Sequence, residues 1–304
     1  MTSDAIPEPG PPPGRLSVGV IGTGRVGSVL GAALAGVHHR IVAASAVSDA
    51  SRNRADAMLP GVPIVSPPDV CAATDLVLVT VPDDVLPGLV QGLADVGAWK
   101  SGQLVVHTSG RYGVSVLSAA TAVGAVPLAL HPVMTFTGTS LDLDRLVGCV
   151  FGVTALPAFV PIADALVLEV GGEPVHVPEE QRALYHAALA HAANHLMTLV
   201  TSSVDLLRDS GIEEPARLLQ PLLTAALDNA LRVGDASLTG PVARGDAGTL
   251  RQHIDVIGSA SPETRDAYVA LARLTALRAM NSGLLSPTQA ESLLDVLAVR
   301  SGDA

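Results

Sequence analysis

Between Val18 and Leu34 the chain reads VGVIGTGRVGSVLGAAL, an apolar strand that runs straight into Gly22, Gly24 and Gly27 and then into a helix-forming segment. Strand, three spaced glycines and helix together make the first turn of a dinucleotide-binding βαβ unit. Gly22 allows the tight turn, Gly24 lets the backbone approach a pyrophosphate, and Gly27 permits close packing of helix on strand. Thr23, Arg25 and Val26 complete the GTGRVG loop, and the helix N-terminus offers free N–H groups and partial positive charge to phosphates.

The rest of the first half continues the same architecture. Strand-like runs LSVGVIG, RIVAASAVS, DLVLVTVP, QLVVHTS, AVPLALHP and GCVFGVT alternate with helix-like segments, which predicts a mostly parallel, doubly wound α/β sheet. The runs are rich in Val and Leu with little polar alternation, as expected where helices cover both faces. From about Glu179 onward strand signals give way to Ala/Leu-rich helical segments, with Ser261-Pro262-Glu263 and Ser286-Pro287 as helix starts. The expected organisation is a Pro/Gly-rich lead-in over residues 1–15, a Rossmann dinucleotide-binding domain over 16–178, and an all-α domain over 179–304.

Charge and cysteine content narrow the function. The net charge of −11 over 304 residues, with no basic cluster interleaved with aromatics, argues against nucleic acid or an anionic membrane as partner and favours a small molecule. Cys71 and Cys149 are the only cysteines, so no disulfide framework or cysteine metal site is expected and a reducing, cytoplasmic compartment is. The lead-in AIPEPGPPPG lacks the basic and apolar regions of a signal peptide. No apolar run reaches membrane-spanning length without interruption.

The end of the second strand carries the ribose reader of such a domain. Asp49, 22 residues after Gly27, is the acid an NAD site uses, while Ser48, Ser51, Arg52 and Arg54 crowd the same loop and complement a 2′-phosphate. The balance favours NADP, with NAD as the alternative.

Three more strand ends point at the same crevice, since ligands of open α/β sheets bind outside the carboxyl ends of the strands. Val81 and Pro82 in TVPDD mark where a nicotinamide ribose lies. Ser109 and Gly110 in HTSG supply a hydroxyl and an unhindered N–H for a carboxylate or carbonyl oxygen. His131 opens HPVMTF.

In the helical half, ALYHAALAHAANHLMTLV carries His186 and Asn194, about 80° apart around the axis, so both can look into one cleft. His186 is the candidate proton donor, because imidazole exchanges protons near neutrality. His191 and His195 share a helix face, but no third ligand accompanies them and no metal is expected. The Gly-rich segment from Leu227 to Ile254 adds Asn229, Arg244 and Asp246. Arg244 suits a bidentate grip on a substrate carboxylate, or else pairs with Asp246 or Asp235 to pin the loop.

GTGRVG, TVPDD, HTSG, HPVMTF, YHAALAHAAN and above all LTGPVARGDAGTLRQH resemble the Rossmann-like oxidoreductases that carry a C-terminal domain of unknown function, over residues 16 to about 295. That group is related to 6-phosphogluconate and β-hydroxyacid dehydrogenases, ketopantoate reductase, pyrroline-5-carboxylate reductase and prephenate dehydrogenase. The resemblance implies NAD(P)-dependent hydride transfer on a small carboxylate-bearing substrate, 2-dehydropantoate first and a pyrroline-carboxylate imino acid second. It also implies a homodimer built through the helical domain, which the apolar MTLVTSSVDLL and ARLLQPLLTAAL segments independently suggest.

One departure matters: many relatives place a Lys four residues before the helix Asn, and here Ala190 precedes Asn194, with Lys100 the only lysine of the chain. The acid role then passes to His186 or His131, or the chain is a non-catalytic NADP sensor.

Overall fold

The computed structural model describes residues 14–298, so most of the Pro/Gly-rich lead-in lies outside the described residues. The chain divides into two units, Met1–Ala190 and His191–Ala304.

The first unit runs β1 (Ser17–Ile21), α1 (Arg25–Gly36), β2 (Arg40–Ser45), α2 (Asp49–Met58), α3 (Pro67–Ala73), β3 (Leu76–Val79), α4 (Leu86–Asp95) and β4 (Leu104–His107), followed by α5 (Ser118–Thr121), β5 (Val126–Pro132), α6 (Leu141–Leu146), β6 (Val150–Ala155), α7 (Val160–Glu169), β7 (Glu173–His176) and the start of α8 (Arg182–Asp209). The seven strands order as β2-β1-β3-β4-β5-β6-β7.

Successive residues of each strand go to opposite faces, and both faces are buried. Leu76 and Leu78 join one core with Val18, Val20, Leu128, Leu130 and α7's Leu166. Val77 and Val79 join the other with Val105, Leu86, Val90 and Trp99. This accounts for the uninterrupted apolar runs, each fully buried Val or Leu contributing about 1.5–3 kcal/mol.

The sheet is parallel except between β5 and β6, which pair antiparallel with His131 opposite Gly152. The chain leaves β5 at its carboxyl end and, after α6, enters β6 at that same end, so no crossover is required. β7, short and polar in EPVH, returns parallel to β6. Neither β7 nor the reversal of β6 carries a period-2 signal of its own.

The second unit is helical, with α9 (Pro215–Val233), α10 (Gly240–Ala243), α11 (Ala247–Ala260), α12 (Pro262–Asn281) and α13 (Pro287–Leu297). Its core is built from Leu250, Val269, Ala272, Ala276, Leu285, Leu293 and Leu297. Ser261 and Ser286 cap α12 and α13 as the sequence suggests, the latter in a capping box with Gln289.

The division falls inside α8, a dozen residues beyond the expected 178/179 boundary. The cause is that the first turn of α8 is riveted to the sheet of the first unit by Arg182. Among the described residues no helix is long and apolar enough to cross a membrane.

Candidate functional site

At the carboxyl end of β1 the chain makes the turn its glycines require. Gly22 sits at φ +93°, a left-handed conformation that side chains avoid. A Cβ on Gly27 would collide with the Gly22 carbonyl and the Thr80 hydroxyl, whereas nothing lies within 4 Å of a Cβ on Gly24. The turn is therefore closed behind and open in front. The amides of Arg25 and Val26, at the first turn of α1, have no carbonyl a helical turn before them and are free for an anion.

Thr23 is the exception within the loop, because its polar groups face inward. Its N–H donates to Ser45 O at 3.1 Å and its hydroxyl to Ser51 O at 3.0 Å. It ties the Gly turn to the first turn of α2 and offers nothing to a cofactor through its side chain. Ser48 is the N-cap of α2 in a reciprocal box with Ser51, so its hydroxyl is engaged at the helix end.

Of the cations beside them, Arg52 makes a long ion pair with Asp49 at 4.0 Å, and Arg54 donates to the Ala50 carbonyl. Neither Arg25 nor Arg54 has a carboxylate partner among the described residues. Gly138, in the loop after β5, packs against both, a Cβ there falling 3.1 Å from Arg25 Cα and from Arg54 Cδ. That loop is anchored by the fully buried Asp142, whose carboxylate accepts from the amides of Thr137 at 2.7 Å and Gly138 at 2.8 Å. Backbone and hydroxyl donors outweigh the burial and hold Asp142 below the usual carboxylate range.

From β1 the strand ends step through β3 and β4 to β5, three spacings or about 14 Å. At the first step Val81 packs its side chain toward Gly22, with Pro82 exposed beside it. At the second, Ser109 accepts the amides of Arg111 and Tyr112, each at 3.2 Å, so its hydroxyl oxygen shapes the HTSG turn. His107 holds that turn from below: it bonds the Gly113 carbonyl through Nε2 at 2.8 Å and accepts the Ser109 amide at Nδ1. These partners set it as the Nε2–H tautomer, and burial lowers its pKa to about 4.

The third step brings together three of the expected residues. A Cβ on Gly110 would lie 2.7 Å from His186 Cδ2 and 3.0 Å from both Cε1 and Nε2 of His131. The two imidazoles stand nearly perpendicular, with centroids 6.1 Å apart. His131 Nδ1 bonds the Tyr185 hydroxyl at 2.8 Å. Burial, and then the nearby Arg182 guanidinium, lowers the His131 pKa to about 4, so this imidazole is neutral at neutral pH.

Arg182 is the part that sequence reasoning misses. It is 1% exposed, and its guanidinium donates to Thr154 Oγ1 at 2.7 Å, Ala129 O at 3.0 Å, Gly152 O at 2.9 Å and Ser109 O at 3.3 Å. Four oxygens from β5, β6 and the HTSG turn replace its hydration, and no carboxylate touches it. The clamp fixes the first turn of α8, and with it Tyr185 and His186, over His131. Only a local EEQR pattern marks Arg182 in the sequence, and that reads as a solvated helix start.

The remaining expected residues belong to the second unit. Asn194 is exposed on α8. Asn229 accepts from Arg232 on the exposed face of α9. Asp246, expected at the substrate, is the N-cap of α11, accepting the Thr249 amide at 3.0 Å and hydroxyl at 2.7 Å.

Arg244 is exposed and pairs with neither expected acid, since Asp246 is engaged in its cap and Asp235 pairs with Arg278 at 2.7 Å. His191 and His195 touch through their Nδ1 atoms at 2.8 Å. They line a cavity of about 600 Å³ with Leu199, Tyr268 and Leu271. No group of three or more metal-ligating side chains occurs among the described residues.

Residues 6–132 match the Rossmann-like domain and residues 149–275 match DUF2520, a domain of unknown function. No curated protein matches the chain. Among solved structures, a candidate NADP oxidoreductase from Bacteroides fragilis aligns with a TM-score of 0.70 at 20% identity, covering 86% of this chain and 98% of its own. A reductive aminase from Aspergillus terreus, in complex with NADPH and ethyl levulinate, aligns at 0.64 and 17%, covering 92% and 99%. Pyrroline carboxylate reductase from Plasmodium falciparum, with NADP bound, aligns at 0.54 and 11%, covering 87% and 98%. At these identities the likeness concerns the fold. The chain is thus a Rossmann-like domain followed by a DUF2520 domain.

Proposed function

We propose that this protein is an NADP(H)-dependent reductase of a small molecule bearing a C=N or C=O group. The observation that carries the reading is the Gly turn, closed behind Gly27 and open at Gly24, with Arg25 and Arg54 unpaired by carboxylates beside it and Arg52 held only by a long ion pair to the solvent-exposed Asp49. A pyrophosphate suits the free amides of α1, and a 2′-phosphate suits the cations better than the ribose hydroxyl of NAD does. Asp49, the acid an NAD site would use, projects fully into solvent.

Reduced NADP supplies a hydride when bound. The chain's own residues hold and orient: Gly110 leaves room at the HTSG turn, and His131 presents Nε2 beside it. Arg182 is saturated by neutral oxygens and cannot grip a substrate carboxylate. The names of the solved neighbours, reductive aminase and pyrroline carboxylate reductase among them, favour an imine or cyclic imino acid over a 2-oxo acid such as 2-dehydropantoate.

The test is NADPH oxidation with a panel that pairs each cyclic imine with its carboxylated form and includes 2-dehydropantoate, alongside titration with NADPH and NADH. Turnover of one class with tighter NADPH binding is the expected result. Tight NADPH binding without turnover of any member favours the non-catalytic sensor, the reading that Ala190 in place of a lysine supports. Equal affinity for NADH overturns the role given to Arg25, Arg52 and Arg54.

A further inference from the structure

His131 is badly suited to give up a proton by itself. It is neutral at neutral pH, and a neutral imidazole that loses its N–H becomes an imidazolate unless a proton reaches the other nitrogen at the same time. The structure provides one source for that proton. Tyr185 OH lies 2.8 Å from Nδ1, the ring stands edge-on to the imidazole with centroids 5.6 Å apart, and Gly152, opposite His131 in the sheet, has no Cβ where the Tyr185 hydroxyl sits.

On the other side of the ring, Nε2 has no protein partner, and no side-chain nitrogen or oxygen among the described residues is both buried and unpartnered. Nε2 is therefore accessible, at the edge facing Gly110 and His186. Burial holds the Tyr185 hydroxyl above its ordinary range, and the positive charge of Arg182, whose Cζ stands 5.7 Å from the ring centroid, offsets part of that cost when the phenolate forms. The other titratable groups around His131 are His186 on α8, His107 on β4 and Asp83 after β3.

We propose that Tyr185 and His131 form a proton relay, in which Nε2–H of His131 protonates the substrate heteroatom while Nδ1 takes the proton of the Tyr185 hydroxyl. This rests on the reductase reading above. As the C=O or C=N carbon is reduced, the heteroatom gains electron density and forms its O–H or N–H bond with the Nε2 proton. The Tyr185 O–H bond breaks and Nδ1–H forms, leaving His131 neutral and Tyr185 a phenolate beside Arg182. Solvent then returns one proton to Nε2 as the Nδ1 proton goes back to the Tyr185 oxygen, which restores the starting tautomer. His131 is the catalytic residue of the pair, and Tyr185 acts through it.

The direction of the Tyr185–His131 hydrogen bond decides the matter without any cofactor or substrate. Ring ¹⁵N spectra of the full chain distinguish the two tautomers. The expected species is Nε2–H with Nδ1 accepting, and in Tyr185→Phe the Nδ1 resonance moves toward that of a nitrogen with no donor. A His131 held as Nδ1–H, donating to the tyrosine oxygen, overturns the relay whatever the activity.

With a substrate in hand, Tyr185→Phe and His131→Gln are each expected to slow reduction about 100-fold at unchanged NADPH affinity, and the double variant to be no slower than either. Additive losses overturn the proposal. Should Tyr185→Phe fail to fold, the wild-type tautomer and His131→Gln still decide it. Failure of the reductase reading shows separately, as absence of turnover in a protein whose His131 is nonetheless Nε2–H.

Discussion

A Cβ on Gly152 would run into the Tyr185 hydroxyl and stand 2.7 Å from the ring carbon that bears it. The missing methyl on β6 is therefore what seats the tyrosine against His131. Gly152→Ala is expected to expel the ring, destabilise the chain by about 1–3 kcal/mol through overpacking, and give the His131 ¹⁵N signature of Tyr185→Phe. Unchanged His131 resonances in the alanine variant would mean that the tyrosine seat is not where the structure puts it.

The three glycines of the first turn are expected to separate in experiment. Gly27→Ala drives a methyl into the Gly22 carbonyl and Thr80 hydroxyl, so thermal stability and nucleotide binding fall together. Gly24→Ala meets nothing within 4 Å. It leaves the melting temperature unchanged and weakens NADPH binding, read by fluorescence titration. A Gly24→Ala protein that binds NADPH normally would remove the pyrophosphate from this loop.

Arg182 makes four hydrogen bonds to buried oxygens. Arg182→Met keeps most of the volume and strands those acceptors, for an expected loss of about 3–5 kcal/mol in urea denaturation. Arg182→Lys recovers part of it, since an ammonium cannot reproduce the planar fork. A loss under about 1 kcal/mol in the methionine variant would show that the clamp contributes nothing.

Acid should weaken the protein through two histidines. His107 and His131 have pKa values near 4 when folded, against 6.5 unperturbed, so the unfolded chain binds more protons between those limits. Stability is complete above about pH 6.5 and declines as the pH falls toward 4, by up to about 1.4 kcal/mol per pH unit for each histidine. Urea midpoints taken across that window should show the slope, and His107→Gln should halve it. A flat profile would mean that both imidazoles titrate in the fold as they do in the unfolded chain.

In the second unit α9 carries Leu218, Leu222, Leu227 and Leu231 at 51–81% exposure, and none of them joins the core formed by α10 to α13. A second copy covering this face is the expected arrangement, with light scattering reporting twice the 30.8 kDa chain mass. Charged substitutions at Leu222 and Leu231 should then return a monomer. A parent chain that is monomeric at micromolar concentration would exclude the dimer.

The dinucleotide turn, six strands and two serine caps were readable because each is written locally, in spaced glycines, apolar runs or Ser-Pro pairs. The acid side of the site was readable only in part. Gly110, His131 and His186 stood out as residues, but His186 joins the other two through the clamp of Arg182 on Gly152 and Thr154, and so through β6 returning antiparallel beside β5, which no local pattern announces. Arg182 follows two glutamates at the head of a helix, and its burial becomes visible only once Ala129, Gly152 and Thr154 are known to share one face. Asp246 stood out as a polar residue in a Gly-rich loop, and that its carboxylate closes a helix end shows only in the structure.

The reversal of β6 has a further result for how the chain is assembled. It brings Gly152 and Thr154 back to the end of the sheet that Ser109 and His131 already occupy, so the clamp, the imidazoles and the tyrosine all come from one uninterrupted stretch, residues 109–186. The nucleotide turn comes from residues 22–27. Changes in the proton-handling half can therefore accumulate, or the whole stretch be exchanged for that of a relative, with the glycine loop's backbone undisturbed so long as Gly138, which packs on Arg25 Cα, is kept.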